Sequence, residues 1–130
     1  MLAFPCGAQS LPPRDTYQRV PDIIAALGDV QGKRIADIAA GKGYLTKPLA
    51  RAVGASGRVF AVEIGEEELA ALRVLARDSF PNIEVVAGTP TDPKLPSSID
   101  GVVILNSYHE LTDYRAILAA IRSARADSAP

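Results

Sequence analysis

Residues 36–46 read ADIAAGKGYLT: an acid at Asp37, then two glycines one residue apart at Gly41 and Gly43. The residues before it, from Arg34, extend an apolar run, and those after it resume a helical period. That is how a β-strand hands over to an α-helix. Taken alone, the stretch fits any strand–turn–helix joint, so its neighbours decide its purpose.

Upstream, Val20, Ile23, Ile24 and Leu27 recur at helical spacing, with Pro21 in the first turn and Gly28 placed as a stop. The run 34–39 (RIADIA) reads as the first strand. Leu45, Leu49 and Val53 then share one helical face, with Gly54 as the terminator and Pro48 early enough to be tolerated. RVFAVE (58–63) is a second strand. Glu66 to Asp78 is a helix with Leu69, Leu72 and Leu75 on one side and three acids at its N-terminal end, where the helix dipole favours them. NIEVVA (82–87) is a third strand, followed by the proline-rich loop GTPTDPKLPSS (88–98). GVVILN (101–106) is apolar throughout, as in a strand buried on both faces. Residues 113–126 close as an amphipathic helix capped by Thr112 or Asp113. Strands alternating with helices predict right-handed crossovers and a doubly wound, Rossmann-like α/β domain with a mostly parallel sheet.

Composition narrows the function. The chain has 130 residues, 48% hydrophobic and 22% charged, with a net charge of −1. That balance gives no electrostatic reason to expect nucleic acid or an anionic membrane as partner. With three Phe, four Tyr and no Trp, a base-stacking platform is not expected either. One cysteine (Cys6) and one histidine (His109) exclude a disulfide framework and argue against a metal centre. No apolar stretch approaches the roughly 20 residues needed to span a bilayer. Residues 1–13 (MLAFPCGAQSLPP) read as a flexible arm ahead of a domain over 14–130. A cytoplasmic location is expected, with export the alternative if that arm is the remnant of a leader.

In doubly wound sheets, ligands bind beyond the carboxyl ends of the strands near the topological switch point, which is where Gly41-Lys42-Gly43 falls. Glycines there let a ligand approach closely, and the following helix N-terminus suits an anionic group. Glu63 ends the second strand 20 positions beyond Gly43. A carboxylate there is placed to accept both hydroxyls of a ribose. The dinucleotide fingerprint needs a third glycine where this chain has Thr46, and no phosphate-binding P-loop is present. Asp37 would repel a pyrophosphate but could serve an amino group, directly or through water. Ribose, amine and carboxylate without phosphate describe S-adenosyl-L-methionine better than NAD.

With these residues in hand, the chain resembles the class I S-adenosylmethionine-dependent methyltransferases. ADIAAGKGYLT followed by VFAVE looks like their first two motifs. The likeness runs on through GTPTDPKLPSSIDGVVILNSYHEL and includes the upstream RDTYQRVPDIIAALG. It covers about Arg14 to Ala126 and is most similar to small bacterial methyltransferase-domain proteins.

The resemblance implies that Asp37, Ala39, Gly41 and Gly43 surround the methionine end of the cofactor, while Glu63, with Ile64 beside it, holds the ribose. The loop after the third strand would border the adenine. The family has an acid right after the glycine of that loop, where this chain has Thr89, so Asp92 or the Thr89 hydroxyl must stand in or the contact is lost. Ala39 stands where the family more often has glycine, and ordinary strand angles are expected of it. The segment from Asn106 to Glu110 is implied to lie near the transferred methyl group, with His109 or Glu110 as a base. A plain packing role for His109 and Tyr108 is the alternative. Arg14, Asp15 and Gln18 are expected either to fold over the cofactor or to be ordinary surface.

The family sheet has seven strands in the order 3-2-1-4-5-7-6. This chain supplies the four that form 3-2-1-4 and ends at RADSAP, where the family reads on into a fifth strand. It is therefore expected to be C-terminally truncated, with the cofactor half present and the substrate half mostly missing. Strand four would then be an exposed apolar edge, leaving either a weakened fragment or a homodimer paired edge to edge. Methyl transfer to a small-molecule acceptor is the leading expectation. A non-catalytic cofactor-binding or interaction module is its rival.

Overall fold

The computed structural model describes residues 2–4, 9–10, 20–104 and 114–124. In chain order these form β1 (Leu2–Phe4), β2 (Gln9–Ser10), α1 (Val20–Ala26), β3 (Arg34–Ile38) and α2 (Thr46–Val53). There follow β4 (Arg58–Glu63), α3 (Glu66–Asp78), β5 (Ile83–Ala87), β6 (Gly101–Ile104) and α4 (Tyr114–Ala124). One six-stranded sheet runs β2-β1-β6-β3-β4-β5. β6, β3, β4 and β5 are mutually parallel, as the alternating pattern predicts, and the order 3-2-1-4 implied by the family resemblance is the order found.

The strands' two-residue period sorts the core into two layers. Ile35, Val59, Ala61, Ile83 and Val103 meet α1, α2 and α3 through Ile23, Leu49, Val53 and Leu72. Ala36, Ile38, Phe60, Val62, Val102 and Ile104 form the opposite layer with Ile99, Ala124 and Ile121 of α4. Residues from both faces of β3, β4 and β6 are thus out of water, as their unbroken apolar runs require. Asp37 follows the same alternation. It shares the face of Ile35, which turns its carboxyl toward α2.

Two connections brace the layers. The Asn82 side chain donates to Ala50 O and Gly54 O, at 2.8 and 3.0 Å, satisfying carbonyls at the end of α2. Arg34 donates from its side chain to Ser97 O and Ser98 O, and from its backbone to the Asp100 carboxylate. These bonds fasten the end of the long loop to the start of β3.

Three expectations change. Strand four is not an open edge: over Val102–Ile104, β6 is paired on its far side by β1, antiparallel, with Phe4 opposite Val102 and Leu2 opposite Ile104. The premise for edge-to-edge dimerisation is therefore removed, because the chain's own first residues fill that place. Accordingly, residues 1–13 are not wholly an unstructured arm, since β1 and β2 lie within them. The third change is in the backbone after β3: Ala39 has φ 59, not strand angles, so β3 stops at Ile38. The chain has to turn there because the next backbone groups are captured by β4. Ala40 N–H donates to Val62 O at 3.1 Å and Gly41 N–H to Glu63. The Thr112 or Asp113 cap and the last turn expected to residue 126 lie outside the described residues.

Candidate functional site

The parallel register brings the carboxyl ends of the strands to one rim. Ile38 is level with Val62 on one side and Ile104 on the other, and Glu63 is level with Ala87. Three connections leave from that rim: the glycine turn after β3, Ile64-Gly65 after β4, and the loop from Gly88 after β5. β3 and β6 are adjacent there although β4 and β5 intervene in sequence, which makes this the switch point of the sheet.

Gly43 shows why the turn needs its composition. Its φ is 99, and a Cβ placed there would lie 2.7 Å from Leu75 Cδ2 of α3. A side chain would therefore meet both backbone strain and a filled core. Lys42, between the glycines, points outward and pairs with Glu67 at 3.0 Å; both are exposed.

Asp37 is wholly buried. Thr46, the first residue of α2 and also wholly buried, donates its hydroxyl to Asp37 Oδ2 at 2.6 Å. The other oxygen, Oδ1, is buried and has no hydrogen-bond partner among the described residues. Burial lifts the Asp37 carboxyl from 3.8 to about 7. The Thr46 hydrogen bond opposes that rise and the charge of Glu63 adds to it. Glu63 is 6% exposed, and its carboxylate is oriented by backbone. Oε2 accepts from Gly41 N–H at 2.7 Å and Oε1 from Ile64 N–H at 2.9 Å. Glu63 thus fixes the glycine turn as well as ending its own strand. A carboxylate has about four lone-pair sites, so each oxygen keeps one for a hydroxyl of a ligand.

At the third loop, Gly88 N–H donates to Glu63 O at 3.0 Å, which ties its start to the end of β4. Thr89 and Asp92 are spent on the loop itself. Their backbones bond in both directions, Thr89 Oγ1 accepts from Asp92 N–H at 3.0 Å, and Asp92 Oδ1 accepts from Lys94 N–H at 2.8 Å. Ile64 is 37% exposed, leaving an apolar surface beside Glu63.

The structure therefore brings Asp37, Ala39, Gly41, Gly43, Glu63 and Ile64 into one neighbourhood, with Thr89 and Asp92 on the adjoining loop. Asn106, His109 and Glu110 lie outside the described residues, as do Arg14, Asp15, Gln18 and Tyr108. Sequence reasoning used Thr46 only as the absent third glycine and missed its bond to Asp37. The available signal was a hydroxyl residue opening the helix after a glycine turn, nine positions beyond a strand-end acid. Among the described residues, no three His, Cys, Asp or Glu side chains gather as a metal site, and no helix is long and apolar enough to cross a membrane.

Comparison with known proteins agrees with this fold. No curated protein sequence matches the chain. Among solved structures, a SAM-dependent methyltransferase from Aquifex aeolicus superposes with a TM-score of 0.72 at 18% identity, over 90% of this chain and 69% of that one. A SAM-dependent O-methyltransferase from Thermotoga maritima gives 0.66 at 24% identity, over 90% and 42%. Aeropyrum pernix fibrillarin, solved with natively bound S-adenosyl-L-methionine, gives 0.62 at 20% identity, over 76% and 44%. The chain thus spans about two thirds of the first of these and less than half of the other two. At such identities the likeness establishes the fold. A family model described as a methyltransferase domain matches residues 35–127, from the first residues of β3 past the end of α4. The chain belongs to the methyltransferase-domain family.

Proposed function

We propose that this rim binds S-adenosyl-L-methionine and that the protein transfers its methyl group to a small-molecule acceptor. The observation that carries the reading is Asp37 Oδ1, a buried acceptor with no partner among the described residues. An orphaned buried acceptor costs about 1–3 kcal/mol, and a cationic amino group, directly or through a water, would supply the missing donor. The other residues fit the same group. Glu63 has a lone pair free on each oxygen for the two ribose hydroxyls, Ile64 offers apolar surface beside it, and Gly41, where a Cβ would meet nothing within 4 Å, leaves the turn open to the methionine end. A pyrophosphate would meet two carboxylates here, which disfavours a dinucleotide.

When bound, the cofactor supplies a sulfonium whose methyl group an acceptor nucleophile can displace in line, so the protein's task is alignment and, for a poor nucleophile, a base. We assign the acceptor side to the segment after β6, with Asn106 against the cofactor and His109 or Glu110 as the base. The motif carries that assignment. A second reading is cofactor binding without turnover.

Calorimetric titration with S-adenosylhomocysteine and with NADH tests the first step. S-adenosylhomocysteine should bind and NADH should not, and Glu63→Ala should weaken binding at least about tenfold, as expected when hydrogen bonds to a charged group are lost. Binding of NADH alone would overturn the reading. Turnover of a methyl donor by the 130-residue chain separates enzyme from binding module.

A further inference from the structure

We infer that Thr46 is a positioning residue for cofactor binding: its hydroxyl fixes Asp37 as an ionised acceptor with Oδ1 turned toward the cationic amino group. The inference rests on the cofactor reading above and deepens it.

The geometry assigns the Thr46 hydroxyl proton to one partner. Threonine is favoured as a helix cap, yet here Leu45 occupies the cap position and no side chain caps α2. Thr46 sits one residue inside, wholly buried, and gives its single O–H to Asp37 Oδ2. The 2.6 Å separation falls in the range of charge-assisted O–H···O⁻ bonds. With Oδ2 held, the carboxyl plane is fixed and Oδ1 is the oxygen left over.

Among the described residues, Thr46 is the side chain that hydrogen-bonds Asp37. Glu63 on β4 is the charged residue that acts on Asp37, and its like charge favours the neutral acid, as burial does. From β6 the register neighbour is Val103, and from β4 it is Ala61. Lys47, next to Thr46 on α2, is exposed. Thr46 is therefore the local counterweight to burial and to Glu63. Without it Asp37 would hold its proton to higher pH, and a neutral carboxyl has little attraction for an ammonium group. The residue that departs from the dinucleotide fingerprint is thus the one that suits the turn to an amino-acid ligand.

The test is the pH dependence of S-adenosylhomocysteine affinity, measured by calorimetry from pH 6 to 8.5 on the wild type and on Thr46→Ser, Thr46→Cys and Thr46→Val. Wild-type affinity should be level at the alkaline end and fall toward tenfold per pH unit at the acid end, because the ligand must displace a proton. Thr46→Ser, which keeps the donor, should follow the wild type within about twofold. Thr46→Val should shift the fall to higher pH and weaken binding about tenfold at pH 7, with much less loss at pH 8.5. A loss of equal size at every pH would mark a merely structural threonine and overturn the inference, as would an unmoved profile. Should Thr46→Val fail to fold, Thr46→Cys decides: its weak S–H donor should give an intermediate shift, and an unshifted profile overturns the proposal. A wild type that binds no S-adenosylhomocysteine at any pH overturns the cofactor reading itself, and the inference with it.

Discussion

Ala39 carries a backbone conformation that its side chain disfavours. A non-glycine residue at positive φ costs roughly 1–2 kcal/mol, part of which glycine would return as unfolded-state entropy. Ala39→Gly should therefore stabilise the fold by about 0.5–1 kcal/mol, read as a higher midpoint in urea unfolding. An unchanged or lower midpoint would mean that the turn after β3 is not strained. Asp37 makes a larger, pH-dependent contribution. Burial raises its carboxyl to about 7 in the fold from the ordinary 3.8, so between those pH values the folded chain holds a proton that the unfolded chain releases. The ligand-free protein should lose stability as pH rises from about 4 through 7, by on the order of 4 kcal/mol from this group. Asp37→Asn removes the titration, so the difference between variant and wild type in urea unfolding should grow from pH 5 to pH 8. A constant difference would refute the raised carboxyl. The acid, the glycines and Glu63 were legible because each residue type has few uses at the end of a strand. The positive φ of Ala39 was not, because alanine gives no signal of the angle imposed on it by what binds the next two backbone N–H groups.

Elements with strong local signals came out at the residues read from the sequence: β4 at 58–63 and α3 at 66–78 match at both ends. An uninterrupted apolar run and an acid-headed amphipathic period are local properties. The pairing of β1 with β6 is not, since it joins residues about a hundred positions apart and the short run Leu2–Phe4 carries no period. The strand matters because β6 is buried, parallel to β3, and would otherwise present three residues of unpaired backbone beside an apolar core. Deleting residues 1–10 should cost about 1–3 kcal/mol, on the scale of about 1 kcal/mol per net hydrogen bond, and leave an edge that recruits another chain. Light scattering across a concentration series should then show self-association stronger than that of the intact chain. A deletion variant as stable and no more associated than the parent would mean that β1 contributes nothing to the sheet.

At the scale of the whole molecule, the rim is built from connections that have little in common except the carboxyl ends of adjacent strands. The turn after β3 is bonded to Glu63 at the end of β4, and Glu63 O is bonded to Gly88 after β5. A ligand held by Asp37 and Glu63 therefore bridges β3 and β4 beside the start of the third loop, and binding should stabilise the fold as a unit. At a hundredfold excess over Kd the gain is about 2.7 kcal/mol, a rise in Tm of roughly 10 °C for a chain of this size. That rise should be larger at pH 8 than at pH 6 at the same S-adenosylhomocysteine concentration, because at pH 6 part of the binding energy is spent removing the proton from Asp37. The sign is opposite to that of the ligand-free protein, which is more stable at pH 6 with respect to this group. Differential scanning fluorimetry of wild type and Asp37→Asn, with and without ligand at both pH values, resolves the two. The variant should show a reduced rise that no longer depends on pH between 6 and 8. A wild-type rise equal at both pH values would show that the carboxylate takes no part in holding the ligand.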